Sequence, residues 1–357
     1  MAQLLLSELK PGDTIAEDVH SPLGSVLFQK GRVISSRDLE ILEAFLVRTV
    51  SVQREREGEA TVQEDDLQPA MEGRVPAIAD SFQSEYDQTI LLVKRAFSSA
   101  LAGDIPIIEL RKRLESLFAR ISEYNILTFM PEQAMEEEYM YHHAALSALT
   151  SYLLAKWVGL GPKDWMQVAL AGLLHDIGNM RIDPAIISKP ASLTQEEERE
   201  MRNHTKYGYQ LLKNITAIND GVKLAALQHH EKVDGSGYPL GVQGDKIHPY
   251  AKIVAVADIY HAMTLNRAYK KKQSPFTVLE QLSKESFGKL DAGYVQTFIV
   301  KVTQFQNGAL VRLNNGRLGE IVFTDRSHPT RPWVSIDGDI FNLALERDLM
   351  IEGIIRK

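Results

Sequence analysis

The sequence predicts a mainly α fold, a long helical body flanked by a small N-terminal α+β unit and a small C-terminal β unit. Three observations predict it. From Ile78 to about Val302, apolar residues recur at three- and four-residue spacing, the period of helices with a buried face. Before residue 53, short apolar runs alternate with turn residues. After Ala309 the pattern becomes that of strands joined by tight turns.

Residues 1–52 make the first unit. Ser25-Val26-Leu27-Phe28 and Val50-Ser51-Val52 read as strands, with turns at Pro11-Gly12-Asp13 and Lys30-Gly31. Ser35 or Ser36 can cap a helix through Arg37–Phe45 that aligns Leu39, Leu42 and Leu46. Residues 53–78 turn acidic and polar, with Pro69, Gly73 and Pro76, and read as a linker. Residues 79–130 read as connecting helices, over segments 78–102 and 105–122. They can serve a dimer or an intramolecular core, and both readings stay open.

Residues 131–302 read as the central helical domain, opening with segment 132–158. Gly159-Leu160-Gly161-Pro162 stops that helix, and Pro162 suits the first turn of the next. The stretch from Asp164 to His175 is apolar enough for a buried helix. Thr194 and Glu197 have the spacing of a capping box. Residues 303–357 close the chain as a β unit. Ala309–Leu313, Asn314-Asn315-Gly316 and Leu318–Thr324 form a hairpin pattern, followed by a strand at Trp333–Ile336 and a turn at Asp337-Gly338.

Composition narrows the chemistry. The chain has no cysteine, which excludes disulfides, thiolate metal sites and cysteine nucleophiles. Any metal must be held by His, Asp and Glu, a donor set that suits Fe, Mn, Zn or Mg. The net charge of −7 argues against a general nucleic-acid coat. No run of about 18 apolar residues is present, so no membrane span is expected. The N-terminus has no basic region or cleavage signal, and a cytoplasmic location is expected.

Six of the ten histidines fall between His142 and His230. His143, His175, Asp176, His204, His229, His230 and Asp258 are the candidate metal ligands. Sequence neighbours such as His175-Asp176 cannot share one helix face, yet at a helix end both can lean into one pocket. The pair follows Val168–Leu174, an apolar run whose burial would leave the charge uncompensated without a metal or a partner. His20, His248 and His328 stand alone and read as surface or capped core residues.

His175-Asp176-Ile177-Gly178 resembles the HD signature of the HD phosphohydrolase superfamily. The stretch from His229 to Pro239, HHEKVDGSGYP, is similar to the long HD-GYP signature, and the resemblance spans about residues 130–300. It implies an all-helical domain around a metal centre of two divalent ions, Fe or Mn. His143, His175, Asp176 and Asp258 would hold one ion, and Asp176 would bridge to a second held by His204, His229 and His230. A third ion would use a Glu four residues before His143; that position is Tyr139, and Glu138 lies five before. His142 and Glu138 read more plainly as a helix-face pair.

The resemblance further implies a phosphodiesterase that opens cyclic di-GMP to linear pGpG, and on to GMP. Two metals about 4 Å apart acidify a bridging water and clamp the attacking and leaving oxygens, so a bridging hydroxide would expel the ribose 3′-oxygen. Gly237, Tyr238 and Pro239 belong to a loop that in the family shapes the substrate site and docks diguanylate cyclase (GGDEF) domains; as a backbone feature it is also simply a tight turn. Arg267, Tyr269 and Lys270 resemble the family's segment after the last Asp. Arg267 and Lys270 are candidate substrate contacts, while Lys270-Lys271-Lys272 also reads as a solvated face.

Two positions depart from the pattern. Asn179 stands where the family usually has a lysine on the scissile phosphate, and His261 where it commonly has Asp. Losing the lysine weakens charge stabilisation in the transition state and leaves the ligand set intact. Three readings follow, namely an active cyclic di-GMP phosphodiesterase, a weak or inactive cyclic di-GMP receptor, and an enzyme for another cyclic dinucleotide such as the mixed guanosine–adenosine form.

Overall fold

The computed structural model describes residues 2–20, 26–35, 38–39, 42, 47, 49–53, 81–129, 131, 138–266, 272–304 and 308–355. The expected linker, most of the expected helix Arg37–Phe45 and the first residues of segment 132–158 lie outside them.

The helical body opens with α1 (Phe82–Ser99), α2 (Ile107–Ala119) and α3 (Tyr139–Trp157). Next come α4 (Pro162–Leu174), α5 (Pro184–Ile187), α6 (Gln195–Arg202) and α7 (His204–Leu212). It closes with α8 (Asp220–Gln228), α9 (Pro249–Thr264), α10 (Pro275–Glu285) and α11 (Ala292–Val302). Helix α1 starts four residues later than the periodicity suggested, because the Ser81 side chain accepts from the Ser84 amide and caps it there. Pro162 opens α4 as expected, and Thr194 with Glu197 forms the capping box of α6.

Helices α3 and α9 run through the middle. Every residue of α3 from His142 to Ser151 is buried, as is α9 from Ile253 to Asp258. Both are apolar nearly all round, which is the pattern of a helix enclosed by others. The small side chains of Ala144, Ala145 and Ala148 let neighbours approach α3 closely. Helices α1 and α2 bury Tyr86, Val93, Phe97, Leu114 and Leu117 in the same core. No described helix is long and apolar enough to cross a membrane.

The ends of the chain are β structure. Near the N-terminus, β1 (Ala2–Leu5), β5 (Thr49–Gln53) and β2 (Thr14–Ile15) pair antiparallel in that order, and β3 (Val19–His20) pairs with β4 (Val26–Phe28). At the C-terminus, β6 (Leu310–Leu313), β7 (Leu318–Phe323), β8 (Trp333–Ile336), β9 (Asp339–Asn342) and β10 (Ile351–Ile354) form a sheet of order β10-β6-β7-β8-β9. Asp337 and Gly338 both take positive φ at the β8–β9 turn, which matches the twist of a two-residue hairpin.

The two flanking units share a core. Leu9, Ile15, Phe28, Val50 and Val52 cluster with Leu310 and Ile355. The C-terminal unit is also clasped to the helical body. Arg331 pairs with Glu280 of α10 through Nε (2.5 Å) and Nη2 (3.1 Å), and its Nη1 donates to the Leu349 carbonyl (3.0 Å). Such charge-assisted contacts contribute about 1.5–3 kcal/mol when partly buried. Arg331→Met is therefore expected to lower the unfolding free energy by about that amount in a urea titration followed by circular dichroism. Unchanged stability would show that the clasp contributes nothing.

Candidate metal centre

Five stretches of chain converge at one end of α3 and α9. His143 projects from the interior of α3 and Asp258 from α9. His175 is the C-cap of α4, and Asp176 opens the turn into the 3-10 helix Ile177–Arg181. His204 is the first residue of α7. His229 is the C-cap of α8, with His230 just beyond. Both adjacent pairs thus sit where a helix ends, so sequence neighbours can lean into one cavity.

The ligand atoms fall into two groups, each within 4.8 Å: Asp176, His204, His229 and His230, and His143, His175 and Asp258. Asp176 Oδ1 lies 3.3 Å from His204 Nε2 and 3.5 Å from His229 Nε2, while Oδ2 lies 3.6 Å from His175 Nε2. Asp258 Oδ1 lies 3.1 Å from His143 Nε2 and 3.9 Å from His175 Nε2, and its Oδ2 lies 3.9 Å from His230 Nδ1. Asp176 thus stands between the groups.

Hydrogen bonding fixes which nitrogen faces inward. Carbonyl oxygens only accept, so His175 Nδ1 donates to the Gly172 carbonyl (2.8 Å), His204 Nδ1 to Met201 (2.6 Å) and His229 Nδ1 to Ala225 (3.0 Å). Each Nε2 is then a lone-pair donor aimed at the cavity, the second-shell arrangement of metal-ligating histidine. His175 Nε2 is buried and makes no hydrogen bond among the described residues. The Nε2 atoms of His204 and His229 face each other at 3.2 Å. A cation relieves both features, so the residues fit a metal.

Burial pushes His175 down to about 4, and it lowers His204 and His230 as well. Burial also works against charge on His229, yet the adjoining Asp176 carboxylate outweighs it and raises that group. Burial opposes ionisation of Asp176 and Asp258 too, but the surrounding imidazoles hold both below the usual carboxylate range. Imidazoles around ionised carboxylates make a donor set for divalent cations.

The backbone leaves little slack here. A Cβ on Gly178 would come within 1.9 Å of the His204 carbonyl oxygen and 2.5 Å of the Gly208 amide, so only glycine lets the 3-10 helix meet α7 and seat His204. In the loop after His230, the buried Glu231 carboxylate accepts from the amides of Leu240 (2.7 Å) and Val242 (3.1 Å). The half-buried Tyr238 ring lies 4.7 Å from the His230 ring, and the Arg202 guanidinium stands 5.1 Å above it. Gly237 and Pro239 flank that ring in the same loop. The reading of the sequence missed Arg202 and the stapling role of Glu231. Glu231 lies inside the quoted motif, whereas nothing in the sequence signals Arg202.

His142 turns away from the cluster. Its Nδ1 meets the Tyr86 hydroxyl at 2.9 Å, and its Nε2 lies 3.6 Å from Glu138, which is held by Lys94 at 2.5 Å. Tyr139 stacks on the His143 ring at 5.4 Å. Asn179 is buried, and its Oδ1 has no hydrogen-bond partner among the described residues. His261 is buried with Nε2 2.7 Å from Thr150 Oγ1. His248 caps α9, and His328 is exposed beside Ser327. Arg267, Tyr269, Lys270 and the His20 side chain lie outside the described residues.

The HD domain family profile matches residues 127–293. This segment is similar to HD domains. The chain is 34% identical over 198 residues to a cyclic di-GMP phosphodiesterase of Pseudomonas aeruginosa, covering 56% of this chain and 48% of that protein. It is 40% identical over 121 residues to the cyclic di-GMP phosphodiesterase response regulator RpfG of Xanthomonas campestris, covering 33% and 32%. It is 35% identical over 128 residues to the 3′3′-cGAMP-specific phosphodiesterase 3 of Vibrio cholerae, covering 36% and 28%. The chain spans about half or less of the length of these relatives.

The geometry separates the two adjacent histidines of α3. His143→Ala is expected to cut bound metal, read by elemental analysis of the purified protein, by at least about tenfold in affinity. His142→Ala is expected to leave the metal content unchanged, because that ring serves Tyr86 and Glu138. Equal losses from both variants would contradict the assignment.

Proposed function

We propose that this domain is a metal-dependent phosphodiesterase of the HD-GYP type whose substrate is cyclic di-GMP and whose first product is linear pGpG, with GMP as the further product. The observation that carries the reading is the convergence of five imidazoles on Asp176 and Asp258. The names of its relatives support the substrate class. Two divalent ions, Fe or Mn, are the cofactors we assign to the two groups. When bound, such a pair supplies a nucleophile from water at neutral pH and neutralises charge developing on phosphorus.

The chain's own residues then have distinct tasks. His143, His175 and Asp258 hold one cation, His204, His229 and His230 the other, and Asp176 joins them. A third ion has weak support, because Lys94 engages Glu138 and Tyr139 fills the preceding turn. The Tyr238 ring, between His230 and Arg202, bounds the side where substrate enters. Gly237 keeps the loop close to Glu231, and Pro239 ends it; we assign this half-exposed loop to substrate shaping and to docking of GGDEF domains. Arg267 and Lys270 remain our candidates for substrate phosphate or base.

Asn179 favours a second reading, a receptor that binds cyclic di-GMP and turns it over slowly or not at all. A neutral amide occupies the position where the family's lysine would bring charge to the phosphate. The test is protein purified without oxygen and assayed with Mn²⁺ or Fe²⁺ on cyclic di-GMP and on 3′3′-cGAMP, with products separated by chromatography. Linear product from cyclic di-GMP supports the enzyme, tight binding without product supports the receptor, and faster cleavage of 3′3′-cGAMP reassigns the substrate.

Two variants probe the mechanism. Asp176→Asn is expected to lower turnover by at least about 100-fold and to reduce bound metal. Asn179→Lys is expected to raise kcat by about tenfold or more, since it restores a charge beside the phosphate. An unchanged kcat would mean that this position does not limit the rate.

A further inference from the structure

A second cavity lies apart from the clustered metal ligands. It is a cleft of about 560 Å³ between the helical body and the C-terminal β unit. Its floor includes Leu146 of α3, Leu265 just after α9 and Ile354 of β10. Its rim carries Lys272 and Arg312, with Glu352 beside them. His261 lines it while holding Thr150 through Nε2. None of the seven clustered ligands and no residue of the Gly237-Tyr238-Pro239 loop lines it.

Three features make it more than a seam between units. The volume falls in the range of small-molecule sites, about 300–1,000 Å³. The walls join an apolar part, with Leu146, Leu265 and Ile354, to polar and charged groups that include Lys272 and Arg312, a combination that can seat an apolar body and fix its orientation. The Lys272 and Arg312 side chains have no ion-pair partner among the described residues, so two cations face the opening against the single carboxylate of Glu352. A packing seam would bring such charges together in pairs, as Arg331 and Glu280 do nearby.

We propose that this cleft is a ligand site distinct from the metal centre, taking a small organic anion with an aromatic or other apolar body. The body lies on Leu146, Leu265 and Ile354, and the anionic group meets Lys272 and Arg312. The location gives the site consequence. Leu146 is one turn from His143 on α3, and His261 is one turn from Asp258 on α9, so the ligand rests on the two helices that carry metal ligands.

The aromatic sulfonate 8-anilinonaphthalene-1-sulfonate matches this chemistry and serves as the probe, followed by fluorescence and calorimetry on the full chain. One molecule is expected to bind per chain. Lys272→Glu and Arg312→Glu are each expected to weaken it by about tenfold, and Arg312→Lys by much less. Both positions are exposed, and thermal melting checks that the variants fold. The same titration on the metal-loaded full chain, with and without cyclic di-GMP whose own binding is read in parallel by calorimetry, separates this proposal from the catalytic reading. Probe binding that survives cyclic di-GMP supports a distinct site, whatever the turnover assay gives. Displacement by cyclic di-GMP would assign the cleft to the substrate site and overturn the proposal. Equal affinity in all variants, or no binding up to about 1 mM probe, would overturn it as well.

Discussion

Two ionised carboxylates in a dry place are the constraint on which the helical body depends. Asp176 and Asp258 lie within 4 Å of imidazole nitrogens from five histidines. Taking a carboxylate out of water is costly unless opposite charge or hydrogen bonds meet it. The imidazoles cannot meet it fully, because burial keeps His175, His204 and His230 from carrying a proton. The cluster is therefore short of positive charge as it stands. The fold holds the groups together through covalent geometry and backbone contacts, namely the helix ends at His175 and His229 and the close meeting at Gly178.

Much of this was legible in the sequence where local rules operate. Thr194 and Glu197 close a capping box because their spacing permits nothing better for the exposed amides of α6. Gly316, and Asp337 with Gly338, turn their strands with positive φ, which those residue types tolerate. The seven candidate ligands were legible from the motif, and the structure brings all of them together. Contacts between distant segments were not legible. The shared core of Leu9, Ile15 and Val52 with Leu310 and Ile355 joins the two ends of the chain, and no periodicity in either end encodes its partner. The early strands β1 to β3 are two to four residues long, too short to carry a pattern.

Direction is the other quantity a sequence hides. His142 and His143 are adjacent, equally buried and of one residue type. A step of one residue rotates a side chain by about 100° around the helix axis. That rotation sends His143 to Asp258 and His142 to Tyr86; periodicity alone leaves the two open, and the family resemblance is what singles out His143. Arg202 illustrates the same limit. It reads as the basic end of a charged surface helix, paired with Glu198, and its second neighbour, Tyr238, comes from a loop 36 residues further on.

The departures from the family pattern fall around the ligand set rather than in it. Asn179 lies in the 3-10 turn after Asp176, and His261 one turn beyond Asp258. Each replaces a group that would bring its own charge with one that is neutral when buried, since burial drives His261 far below its ordinary value. His261 has Thr150 as a hydrogen-bond partner, whereas the buried Asn179 Oδ1 has none among the described residues. Both exchanges change the charge presented to whatever occupies the cavity. On the function proposed here, the metal-holding geometry and the chemistry done on a phosphate are thus separable in this fold. The first is set by helix ends and by a glycine with no room for a Cβ, and the second by one or two side chains that can change without disturbing them.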